Sequence, residues 1–126
     1  MRYKRDEPFR FQFPKPLHGS FRIIKIDDKP VEARPGTAEI MDLSPNGLRF
    51  KASMDLPVRE KKLLMEMSFI INDSLVTMTG EPVWQKHEWN SSTYGFVSAE
   101  GSEKSLEIIQ QLKEYARKAA GAYKSR

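Results

Sequence analysis

The chain carries no cysteine among its 126 residues. Disulfides, thiolate metal centres and a cysteine nucleophile are therefore excluded, and the composition suits a reducing cytoplasm. Histidine is almost as scarce: His18 and His87 stand alone, with no neighbouring ligand at metal spacing. No apolar run approaches the ~18 residues that a membrane span needs. The first residues, Met1 to Glu7, are charged and have no apolar signal core behind them. No glycine-rich phosphate loop is present, and Ser44 has no histidine near it in sequence, so the expectation is a protein that is not an enzyme. Charge of one sign is also lacking. Lys+Arg 21 against Asp+Glu 17 leaves +4, a weak field that favours an anionic partner without selecting one. A hydrophobic fraction of 39% and a charged fraction of 30% describe a globular chain long enough for one modest core.

What is present is a β pattern that ends in a helix. Residues 1–16 read as an extended, flexible arm, because Pro8, Pro14 and Pro16 oppose a helix. In that arm Phe9, Phe11 and Phe13 alternate with Arg10 and Gln12, placing the rings on one face to pin the arm to a core. Strands are expected at Ser20 to Ile26, Thr37 to Leu43, Leu48 to Ala52, Lys62 to Ile71, Leu75 to Trp84 and Tyr94 to Ala99. Turns separate them at Asp27 to Pro30, at Ser44 to Gly47, where Asn-Gly tolerates positive φ, and at Asn72 to Ser74. Lys62 to Ile71 is apolar on both parities, so a helix competes with the strand there. Gly80 and Pro82 mark a bulge, and Lys86 to Thr93 reads as a loop. Trp84 is expected in the barrel wall and Trp89 as a loop anchor. The period then changes: Leu106, Ile109, Leu112, Tyr115, Ala116 and Ala119 recur at helical spacing, with Ile108 widening the stripe. That helix spans about 103–120, with Ser102 as N-cap and Gly121 as stop signal. The fold class is all-β with a C-terminal helix, a small six-stranded antiparallel β-barrel or sandwich over 17–122; a barrel leaves no exposed sheet edge.

The segment Asp42-Leu43-Ser44-Pro45-Asn46-Gly47 is an Asp-x-Ser-x-x-Gly pattern between two short apolar segments, with Arg5 and Arg10 far upstream. Taken alone it reads as a tight turn in which Asp and Ser bond local backbone N–H groups. Together with the arginine-bearing arm, Gly80-Glu81-Pro82-Val83-Trp84, the strand Tyr94-Gly95-Phe96 and the final helix, it resembles the PilZ family over most of the chain. The resemblance implies a six-stranded antiparallel barrel and binding of the bacterial messenger cyclic di-GMP. It implies Arg5, Arg10, Asp42, Ser44 and Gly47 as ligand-binding residues, no cofactor besides that ligand, and a protein effector as partner, with no nucleic acid polymer and no membrane span. The processes it implies are motility, adhesion or exopolysaccharide control. The residue types suit the ligand: an arginine fork pairs bidentately with phosphate oxygens or with guanine O6 and N7, and an aspartate or serine can orient those arginines. Four residues separate Arg5 from Arg10, one more than in the family's arm motif. This motivates a second expectation, a PilZ-like interaction module that no longer binds the nucleotide and uses the Leu106 to Tyr115 stripe for a protein. A basic barrel that binds RNA is a third reading, and the strands lack the exposed aromatics interleaved with basic residues that it needs.

Overall fold

The computed structural model describes residues 10–124, with side chains described as far as Gly121. Strands β1 (Phe11–Ile26), β2 (Lys29–Pro30), β3 (Gly36–Ser44), β4 (Gly47–Ala52), β5 (Leu63–Ile71), β6 (Ser74–His87) and β7 (Ser92–Ser98) precede one helix, α1 (Ser102–Lys124). The sheet runs β2-β1-β3-β4-β7-β6-β5 and β5 pairs back onto β1, so six antiparallel strands close into a barrel and β2 is a short extension on β1. Closure depends on the length of β1. Its first part, Phe11 to Phe21, pairs with β3, and its second part, Gly19 to Ile26, pairs with β5.

Alternation decides the inside. In β5, Leu63, Met65, Met67, Phe69 and Ile71 are buried while Leu64, Glu66, Ser68 and Ile70 face outward, which settles this ambiguous segment as a strand. Phe50, stacked on Tyr94 at 4.9 Å, lies in the same core as Phe21, Ile40, Met78 and Phe96. The Tyr94 hydroxyl donates to the Met54 carbonyl at 2.6 Å and accepts from the Leu56 amide at 2.8 Å, tying the segment after β4 to the wall. Burial pushes this phenol above its ordinary pKa.

The helix seats Ile108 and Leu112 in the core, each burial contributing about 1.5–3 kcal/mol. One turn on, Tyr115 meets Phe11 and Phe13 edge-on at 5.3 and 5.2 Å. The two phenylalanines therefore share a face and anchor the start of β1, as their alternation predicts.

Several local expectations are corrected. β structure begins at Phe11, not Leu17: the strand tolerates Pro14 and Pro16 because its register with β3 breaks between Gln12 and Leu17, where no ladder N–H is required of them. β6 extends to His87 and β7 starts at Ser92, which shortens the expected 86–93 loop. The buried helix stripe is Ile108, Leu112 and Tyr115, whereas Leu106 is 62% exposed and Ala116 and Ala119 face solvent. The Gly101 carbonyl accepts from the Lys104 and Ser105 amides, so Gly101 is the N-cap and Ser102 the first helical residue. Gly121 does not end the helix, which runs on to Lys124. Trp89 anchors nothing, being 94% exposed.

Candidate functional site

The outer face of the barrel carries one continuous row of paired residues. Gln12 on β1 is opposite Asp42 on β3, Asp42 is opposite Arg49 on β4, Arg49 is opposite Gly95 on β7, and Gly95 is opposite Trp84 on β6. The row runs across the strands, so neighbouring positions are about 4.8 Å apart. With Arg10, Leu48 and Val83 it lines an open groove of about 750 Å³, a size within the range of small-molecule sites.

Local sequence explains how each group comes to face the groove. A register shift between Ile40 and Asp42 lets Ile40 and Leu43 both point into the core while Asp42 points out. Across the hairpin, Leu48 and Phe50 point inward, so Arg49 between them points out beside Asp42. Gly95 bears no side chain, and the indole of Trp84 occupies the space that a Cβ there would need. A bulge between Pro82 and Trp84 brings that indole to the outer face.

Charge is concentrated at Asp42. Its Oδ2 accepts from Arg10 Nη1 at 3.1 Å and from Arg49 Nε at 2.9 Å. The Asp42 side chain is 2% exposed, whereas the Arg10 and Arg49 side chains remain 39% and 36% exposed. A buried carboxylate held by two half-exposed arginines fixes the direction of both and leaves one net positive charge at the groove. Such a site suits an anion, or a ligand edge that presents hydrogen-bond acceptors to the guanidiniums, better than a cation or a purely apolar ligand.

The sequence-predicted residues do not all meet here. Arg10 and Asp42 do. Arg5 lies outside the described residues. Ser44 and Gly47 sit at the hairpin end and not in the groove lining: the Ser44 hydroxyl donates to the Gly47 carbonyl at 3.2 Å and is buried. Neither Asn46 nor Gly47 adopts positive φ, so the expected Asn-Gly turn geometry is absent. Glycine is required at 47 for a different reason: a Cβ would run into the backbone carbonyl of Phe96 on β7. The turn is held from outside, with the Ser98 amide donating to the Asn46 carbonyl and the Ser105 hydroxyl of α1 donating to Asn46 Oδ1 at 2.7 Å.

Arg49 was not singled out from sequence, and Trp84 was read as barrel wall and not as part of a site. A usable signal for Arg49 existed: with a two-residue turn at Pro45-Asn46, counting outward from Ser44 and Gly47 puts Arg49 opposite Asp42. Nothing comparable places Trp84 beside Arg49, because that requires the register of β7 against two strands. The chain matches none of the models of known protein families. No curated protein matches it significantly.

Proposed function

We propose that the chain is a PilZ-type receptor for cyclic di-GMP, a sensor and not an enzyme, working in the cytoplasm. One observation carries this reading: Arg10, from the segment ahead of β1, lies 3.1 Å from the hairpin Asp42 at the mouth of the groove. A nucleotide phosphate competes with Asp42 for the Arg10 guanidinium, and Asp42 stays paired with Arg49 when Arg10 turns outward. Arg10 directly precedes Phe11, and Phe11 and Phe13 rest on Tyr115 of α1. Movement of Arg10 is thereby coupled to the helix, whose exposed Leu106 side is the surface offered to a protein effector. Among the described residues no helix is long and apolar enough to cross a membrane.

Calorimetric titration of the purified protein with cyclic di-GMP tests the reading. Saturable binding in the micromolar range or tighter is expected. Arg10→Ala should weaken it at least tenfold, since a charge-assisted bond is worth about 1.5–3 kcal/mol, and Asp42→Ala, which frees both guanidiniums, serves as the control. No heat from the parent protein retires the receptor and leaves the interaction module.

A further inference from the structure

Arg49 occupies a position that no arm motif supplies. Its backbone is paired between Asp42 and Gly95, so it is built on the wall of the barrel and not on a chain end. Its Nε is committed to Asp42 Oδ2, and Asp42 is its only ion-pair partner among the described residues. Both terminal nitrogens therefore remain as donors on a side chain that lines the groove. One strand further, the Trp84 indole lies across Gly95, 36% exposed. Strands β4 and β6 flank β7 and are about 10 Å apart. A planar donor fork locked in direction thus stands beside an aromatic surface.

A guanine uses both features. It presents two acceptors, O6 and N7, on one edge, and its faces stack on aromatic rings. Adenine offers one acceptor and one donor on the same edge, so a fork of two donors rejects it. Resting on the receptor reading above, we infer that Arg49 is the specificity-determining residue of the groove. Its two terminal N–H groups are donated to O6 and N7 of one guanine, which stacks on Trp84, while Arg10 takes the phosphate. Asp42 acts as a positioning residue that holds the fork at the required angle.

The test compares cyclic di-GMP with its 7-deazaguanine analogue, in which N7 is replaced by C–H, by calorimetry on the full chain. The parent should bind the analogue about tenfold more weakly or worse, the discrimination expected of a bidentate guanine contact. Arg49→Lys keeps a cation beside Asp42 and, with its fold checked by circular dichroism, should lose that discrimination and bind both ligands with similar, reduced affinity. A parent protein that binds both ligands equally overturns the assignment alone. So does a lysine variant that retains the full N7 preference. A parent that binds neither overturns the receptor reading, and this assignment with it.

Discussion

Two of the two-residue hairpins in the sheet are built on opposite principles. Asn72-Asp73 joins Ile71 to Ser74, and Pro45-Asn46 joins Ser44 to Gly47. In the first, Asn72 and Asp73 have φ of 52° and 62°, the geometry whose twist matches that of the paired strands. The residues themselves encode it, since Asn and Asp tolerate the left-handed region. In the second, proline forbids positive φ at its own position and Asn46 does not adopt it. That turn is shaped by its surroundings: the Ser44 hydroxyl, the Ser98 amide, the Ser105 hydroxyl and the carbonyl of Phe96. Each turn also touches α1, one through Asn46 and Ser105, the other through Asn72 Nδ2 to Gln111. A turn specified locally owes its backbone shape to its own residues, even where, as at Asn72, it also bonds the helix. A turn specified by its neighbours registers their movement, and the latter lies two residues beyond Asp42.

Substitutions can break this contrast. The largest effect is expected from Gly47→Ala, because the added methyl meets backbone that cannot swing aside; about 3 kcal/mol of destabilisation should appear as a lowered urea midpoint. Asn72→Ala should cost about 2 kcal/mol in the same measurement, part from holding alanine at positive φ and part from the bonds to Gln111. The smallest is Ser105→Ala, about 1 kcal/mol for one hydrogen bond. It sharpens the comparison most, since amide exchange should accelerate around Pro45-Asn46 while Asn72-Asp73 stays protected. Equal acceleration at both turns would dissolve the distinction.

The same contrast explains what could be read from sequence. A helix at 3.6 spacing declares itself, whereas β5 did so only in part: Leu64 and Ile70 on its outer face left a helix open until the burial of Leu63, Met65, Met67, Phe69 and Ile71 settled it as a strand. The Asn72-Asp73 turn is legible because its chemistry is local. Features set by a partner are not. Pro14 and Pro16 argue against a strand unless the break in register with β3 is known. Gly121 reads as a stop, yet the helix continues through it. Of the site, Asp42 and Arg10 stood out by residue type and order, and Arg49 was within reach of a register count across a single hairpin. Trp84 stands in the barrel wall as expected, on β6, but its place over Gly95 was not legible because it depends on a bulge and on β7, a strand that it reaches only through the fold.

The row from Gln12 through Asp42, Arg49 and Gly95 to Trp84 runs at right angles to the strands that bear it. No contiguous fragment of the chain holds the groove, and it cannot exist until β7 has been synthesised and inserted between β4 and β6. Competence at this site therefore arrives together with completion of the barrel, and a cell can never meet it half-made.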